Sequence, residues 1–317
     1  DDAYYGLGLV YSNMRRFKEA VLPLKKAVEL NPEHKDAYLY IANSYEELKD
    51  FAKAAESYEK YVNLKPGKQG TAYWHLGLCR FELGQFEAAA AAFQEALKEN
   101  PQDTLINDRL AQAFQKSGQY EKAEQVYQYL AQLSPEYSLN YYRTILRMYD
   151  EAGLGDKAIE AAKKIVELNP KDSDSLYNLG YMYAKQKRYN EAVESLKKVI
   201  QIRPNFEYAH LTLANCYVEL KQWSKTIETY SKYVEIVPDN AEAWHAIGVS
   251  YMQLKKYEFA LEPLLKAVEI RPDFGVAYFN LAITYLNLKA NREAREIYRK
   301  LLKIDPSWAA RLKKHIR

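Results

Sequence analysis

Among the side chains able to do chemistry, His75 and Cys79 come first: four residues apart, they share one helical face and could supply two ligands to a metal ion. No further Cys or His motif completes the set, so no metal site is expected. Arg143 and Arg147 repeat that spacing with two guanidinium groups. They repel mildly unless an anion answers them, and the anion could be Asp108 or Asp150 from the same stretch, or the carboxylate of a ligand. Asn178 and Asn215 could add amide contacts. The link Gly67-Lys68-Gln69-Gly70 is too short for a phosphate loop and lacks the flanking strand. With no Gly-rich nucleotide fingerprint, nucleophile elbow or paired-carboxylate motif, the sequence predicts no enzyme and no cofactor.

The elements that must position these residues repeat along the chain. In residues 241–274, Trp244, Ile247, Gly248 and Tyr251 fall on one face of a helix, and Tyr257, Ala260, Leu264 and Ala267 repeat that geometry on a second helix. Pro272 ends the second helix because it has no N–H to continue the ladder. Gly248, Ala260 and Ala267 are small enough to let the two backbones approach, so the pair forms a helical hairpin. One hairpin cannot bury its apolar faces alone, and the copies are present. Pro32, Pro66, Pro101, Pro135, Pro170, Pro204, Pro238, Pro272 and Pro306 follow at steps of 34 or 35 residues. Position eight is filled by Gly8, Ala42, Gly77, Ala111, Gly180, Ala214, Gly248 and Ala282, and position twenty is Ala in every repeat but the one with Thr226.

The spacing W-x2-L-G-x2-Y…A…P resembles the tetratricopeptide repeat (TPR) family. The resemblance implies an all-α fold, a TPR α-solenoid in which helix-turn-helix repeats form a right-handed superhelix. We read a single domain over 1–317, with repeats at about 1–34, 35–68, 70–103, 104–137, 139–172, 173–206, 207–240, 241–274 and 275–308 and a capping helix at 308–317. In that family, positions five, nine and twelve of the first helices line a concave groove. One subgroup there captures C-terminal carboxylates through Lys and Asn at positions five and nine of one repeat, Asn at six of the next, then Lys and Arg. Here Arg143, Arg147 and Asn178 match best, but Tyr208 and Thr212 stand where the last two cations belong, which argues against that ligand.

Composition narrows the function classes. A net charge of +3 is too small for general attraction to nucleic acid. No apolar run is long enough for membrane insertion. Cys79 and Cys216, four repeats apart at core-facing positions, are expected to be unpaired; two such thiols favour the cytoplasm. Asp1 falls on repeat position one without an initiator methionine, so the chain looks like a piece of a longer protein whose targeting sequence could lie upstream. The 29 tyrosines follow from the large rings that positions four, eleven, seventeen and twenty-four require.

Repeats four and five depart from the pattern. Asn107 replaces the ring at position four, Leu146 fills the small position eight, Gly155 replaces the ring at seventeen, Ala162 is small where most repeats carry a large side chain, and Ser138 is an extra linker residue. His210 replaces a core aromatic, whereas His245 takes a groove position. Trp74, Leu78 and Phe81, with Tyr177 and Tyr181, place large apolar side chains at groove positions. The expected function is therefore a protein–protein interaction scaffold whose groove holds a peptide or helix of a partner, acidic and anchored by hydrophobic side chains. Its contacts would be Arg143, Arg147, Asn178, Asn215, Trp74, Leu78, Phe81, Tyr177 and Tyr181. The alternatives are a self-associating structural module, or a partner-recruiting array of a larger, enzymatic protein.

Overall fold

The computed structural model describes residues 1–64 and 69–316, so Pro66 and, within the Gly67–Gly70 link, Gly67 and Lys68 lie outside the described residues, as does Arg317. It falls into two compact units, Asp1–Leu154 and Gly155–Arg317. The first unit contains α1 (Asp2–Asn13), α2 (Phe17–Leu30), α3 (Lys35–Glu47), α4 (Phe51–Leu64), α5 (Gly70–Glu82), α6 (Phe86–Leu97), α7 (Thr104–Lys116), α8 (Tyr120–Leu133) and α9 (Ser138–Glu151). The second contains α10 (Gly155–Leu168), α11 (Ser173–Lys185), α12 (Tyr189–Ile202), α13 (Glu207–Glu219), α14 (Trp223–Ile236), α15 (Ala241–Gln253), α16 (Tyr257–Ile270), α17 (Gly275–Asn287), α18 (Asn291–Ile304) and α19 (Pro306–Lys313). No strand occurs among the described residues, and the fold is an all-α solenoid of tandem hairpins. Within each unit every second helix also packs on the first helix that follows it.

The hairpin turn is the same throughout. Position fifteen has φ between 55° and 60° at Arg15, Lys49, Lys187, Lys221, Lys255 and Lys289, and 73° to 77° at Gly84, Gly118 and Gly153. One residue later a backbone N–H reaches back to the carbonyl of position eleven, as from Gln222 to Tyr217 at 2.9 Å, closing the first helix with a Schellman-type bond. Glycine adopts this left-handed conformation without a Cβ penalty, and the six cationic residues do not. Lys221→Gly is therefore expected to stabilise the second unit by about 0.5–1 kcal/mol, with the entropy of a freer unfolded chain offsetting part of the relief. A denaturation midpoint that stays level or falls in that variant would show that the strain is already relieved locally.

Stacking uses the small positions. Gly8, Ala42, Gly77, Ala111, Gly180, Ala214, Gly248 and Ala282 are all buried, whereas Leu146 in the equivalent place on α9 is half-buried. Pro23 and Pro263 lie inside α2 and α16 without interrupting either helix. Two details differ from the sequence expectation. Ser138 is not a linker residue but the first residue of α9: the chain between α8 and α9 tightens into a 3-10 turn at Pro135–Tyr137, and the Ser138 hydroxyl donates to the Ala131 carbonyl at 2.7 Å. The terminal helix α19 begins at Pro306, ahead of Trp308, because the Asp305 carboxylate accepts from the Ser307 and Trp308 N–H groups and proline suits the first helical turn. It ends at Lys313, although Ile316 still packs against the same apolar cluster as Trp308, Ala309 and Leu312.

Candidate interaction surface

First helices lie beside one another in each unit: α1 next to α3, α11 next to α13 and α15 next to α17. On α3, α5, α11, α13, α15 and α17 the side chains at repeat positions three, seven, eight and ten are buried by stacking, while those at two, five, six, nine and twelve form a face of their own. The expected site residues divide between the units. Trp74, Leu78 and Phe81 on α5 and Arg143 and Arg147 on α9 belong to the first; Tyr177, Asn178 and Tyr181 on α11 and Asn215 on α13 belong to the second.

In the first unit the apolar residues of α5 are half-buried. The Trp74 ring lies 5.5 Å from Phe93, and Phe81 meets Phe86 edge-on at 5.2 Å, so this stripe rests partly on its own hairpin partner α6. Arg143 and Arg147 are both exposed. Asp108 is committed elsewhere: its carboxylate accepts from Gln112 Nε2 at 2.6 Å, and the Gln112 oxygen accepts from the Arg109 guanidinium at 3.1 Å. Burial pushes the Asp108 carboxyl above its ordinary range.

A polar network that the sequence reading did not identify crosses repeats two and three. The Tyr58 hydroxyl lies 2.7 Å from Asn43 Oδ1 and 2.6 Å from Glu46 Oε2, and His75 Nδ1 donates to Glu46 Oε1 at 3.0 Å. Burial pushes the Glu46 carboxyl up, but the hydrogen bonds from His75 and Tyr58 outweigh it and hold the group below its usual value. His75 thus spends a ring nitrogen on Glu46 rather than on a metal. The network borders a cleft of about 610 Å³ whose other walls include Tyr40, Phe17 and Phe51. The signal that could have found it is the pairing of Asn at position nine with Tyr at position twenty-four, which recurs as Asn215 and Tyr230. There the Tyr230 hydroxyl donates to Asn215 Oδ1 at 2.5 Å and so orients the amide expected to meet a ligand.

The second unit carries a run of rings on its first-helix face. Tyr177 lies 6.2 Å from Tyr181 and 5.1 Å from Phe206, and Phe206 lies 5.9 Å from Tyr208; Asn178, Tyr181 and Tyr208 are exposed. The Arg203 guanidinium sits 4.2 Å over Phe206 and bonds Asp174 at 2.8 Å, which fixes the loop that carries the ring. His245 is held by Asn280, whose amide donates to Nε2 at 2.8 Å, and burial lowers the imidazole pKa to about 4. Glu242 opposes that shift and is itself paired with Arg271.

Position four shows one function carried by three side chains. Trp244 Nε1 donates to the Pro238 carbonyl at 2.8 Å, His210 Nε2 to the Pro204 carbonyl at 2.7 Å and Asn107 Nδ2 to the Pro101 carbonyl at 2.9 Å. His210 does occupy the core, as expected, and Asn107 loses the ring but keeps the bond. Burial raises the Cys79 thiol to about 12 and the Cys216 thiol to about 11, so both stay protonated and unreactive at neutral pH. Among the described residues no three His, Cys, Asp or Glu side chains come together as metal ligands, and no helix is long and apolar enough to cross a membrane.

Family models described as "Tetratricopeptide repeat" match residues 5–70, 80–146, 161–194, 183–249, 241–274 and 276–307. The chain is 25% identical over 183 residues to Anaphase-promoting complex subunit 3 of Schizosaccharomyces pombe, covering 57% of this chain and 27% of that protein. It is 26% identical over 156 residues to the Protein O-mannosyl-transferase TMTC1 of Homo sapiens, covering 49% and 17%. The chain therefore matches about a quarter or less of the length of these relatives. The crystal structure of MamA protein superposes with a TM-score of 0.51 at 24% identity, covering 55% of this chain and 96% of that one, a likeness of fold.

Proposed function

Because the chain belongs to the tetratricopeptide repeat family, we propose that it is a non-catalytic interaction scaffold whose first-helix face holds a peptide or helix of a partner protein. The observation that carries this reading is the division of labour on the first helices. Stacking consumes one set of positions, yet Arg143, Arg147, Asn178, Tyr181 and Tyr208 stay exposed on the other. Each unit contributes its own patch. In the first, Arg143 and Arg147 meet acidic groups and Trp74, Leu78 and Phe81 seat apolar side chains; in the second, Asn178 and Asn215 offer amides beside Tyr177 and Tyr181. The likeness to a named complex subunit supports a partner of protein type. The likeness to a named transferase fits the same role, with the array recruiting partners for a larger, enzymatic protein.

A desolvated Arg–carboxylate bond contributes about 1.5–3 kcal/mol, whereas a solvated pair gives under about 1 kcal/mol. Reversing both charges, Arg143→Glu and Arg147→Glu, is therefore expected to weaken partner binding at least about tenfold, the effect of losing one such bond. Helicity and melting should stay nearly unchanged, since both side chains are exposed. The measurement is a titration of a partner recovered by affinity capture against parent and double variant. A variant that unfolds, or binds as tightly as the parent, would remove these residues from the site.

A further inference from the structure

We propose that the cleft walled by the first two hairpin turns and by His75 of α5 receives the guanidinium of an arginine, so that a partner segment is basic where it crosses α3 and α5. This rests on the reading that the first helices present the binding face, and it names the chemistry that one part of that face selects. Charge along the face is sorted. At positions two, five, six, nine, twelve and thirteen, α3 and α5 carry Asp36, Glu46, Glu47 and Glu82 and no Lys or Arg. The cations at those positions in the first unit, Arg109, Lys116, Arg143 and Arg147, all lie on α7 and α9. A ligand acidic along its whole length would be repelled over α3 and α5.

The cleft of about 610 Å³ concentrates that acidity. Glu46 keeps 22% of its side chain exposed there, and the bonds from Tyr58 and His75 hold it ionised at neutral pH. A carboxylate has about four acceptor sites, so these two bonds leave room for a bidentate guanidinium. Stacking does not require this acid. Where the Asn–Tyr pair recurs as Asn215 and Tyr230, Val218 stands in the place of Glu46 and Ala246 in that of His75, and the tyrosine bond still forms at 2.5 Å. Glu47, also lining the cleft, meets Arg15 at 3.7 Å, a loose contact between two exposed groups that a ligand displaces readily. Among the described residues that line the cleft, Lys49 is the only Lys or Arg, against two carboxylates. Phe17, Tyr40 and Phe51 add rings to the walls. A planar guanidinium stacks on rings while its five N–H groups reach carboxylates, whereas an ammonium is a compact, strongly hydrated charge. The cleft thus suits arginine better than lysine.

The probe is the blocked tripeptide acetyl-Ala-Arg-Ala-amide, titrated into the full chain and followed by the NMR signals of the His75 ring. It is expected to shift those signals and to bind at least about tenfold more tightly than its uncharged citrulline counterpart, with the lysine counterpart between the two. Glu46→Gln and Glu47→Lys are each expected to weaken it about tenfold. Equal binding of the arginine and citrulline peptides, or an unmoved His75, overturns the proposal. A lysine peptide that binds as tightly as the arginine one overturns the assignment to a guanidinium. Should Glu46→Gln disturb packing, Glu47→Lys decides alone, because Glu47 is exposed and outside the Tyr58 network; that variant binding as tightly as the parent also overturns the proposal. The titration contains no partner protein and reads no contact of Arg143 or Arg147. Its failure therefore leaves the double charge-reversal test of the proposed function standing, and failure of that test leaves this one standing.

Discussion

Gly77→Val is expected to cost the first unit about 3 kcal/mol, the upper part of the range for overpacking a well-filled interior. A Cβ at this position would stand 2.5 Å from Cδ1 and Cε1 of Phe93, well inside van der Waals contact. Phe93 cannot give way cheaply. It is fully buried, its ring packs on Trp74 at 5.5 Å, and it belongs to the helix on which the whole of α5 rests. Relief must come from separating α5 and α6, which also disturbs Trp74 on the proposed interaction face. Gly155→Ala is the control. There a Cβ meets Gln186, an exposed and flexible side chain, so the change is expected to lie within about 0.5 kcal/mol of the parent. Equilibrium denaturation of both variants decides the point; equal midpoints would mean that α5 and α6 are not held at the distance that makes glycine necessary.

That steric demand was legible in the sequence because it recurs. A residue that must be small every 34 positions fixes the hairpin, its register and the face each residue occupies, and the prolines set the period independently. What recurs with varied chemistry was harder to see. Position fifteen needs positive φ in every repeat, but Lys or Arg fills it in six of nine, and neither residue type signals the left-handed region as glycine does. Asn107 read as the loss of a buried ring. The structure shows that the position also requires an N–H aimed at the preceding proline's carbonyl, a need that Asn, His and Trp can each meet.

The proposed interaction face was legible only in part, for a related reason. Spacing tells which face a side chain takes but not which neighbour its polar atoms find. Arg143, Arg147, Asn178 and Tyr181 emerged on the open face because exposure follows from position. The commitment of Asp108 to Gln112, of Asn215 to Tyr230 and of Glu46 to both Tyr58 and His75 depends on pairs separated by 4 to 29 residues, with geometry set by packing. Two of these bonds join a first helix to the second helix of its own repeat, and one crosses to the next repeat, so they tie the composition of the open face to the stacking beneath it. Removing such a partner would move the site without touching an exposed residue.

Acid should weaken the second unit through a single imidazole. His245 is mostly buried on α15, its Nε2 accepts from the Asn280 amide at 2.8 Å, and the Phe274 ring lies 5.1 Å away. This arrangement suits the neutral ring and gives a proton no acceptor to replace the bond it would break. Burial accordingly lowers the pKa to about 4, with Glu242 acting in the opposite sense. In the unfolded chain the same histidine titrates near its ordinary value of about 6.5. Between those two values the unfolded state binds a proton that the folded state does not, so stability rises with pH across the window and is lost as pH falls through it. A full shift of this size amounts to about 2 kcal/mol by pH 5, and residual solvent access to the ring reduces it to about 1–2 kcal/mol. His245→Phe removes the titration and leaves an apolar ring against Phe274. From pH 7 to pH 5 the parent is expected to lose about 1–2 kcal/mol more than this variant, whatever their difference at pH 7. The comparison is made by urea denaturation at each pH, because the carboxylates other than Glu242 contribute equally to both chains and cancel. Parallel pH curves would mean that His245 takes up its proton in the folded state as readily as in the unfolded one, and that the Asn280 bond does not hold the ring neutral.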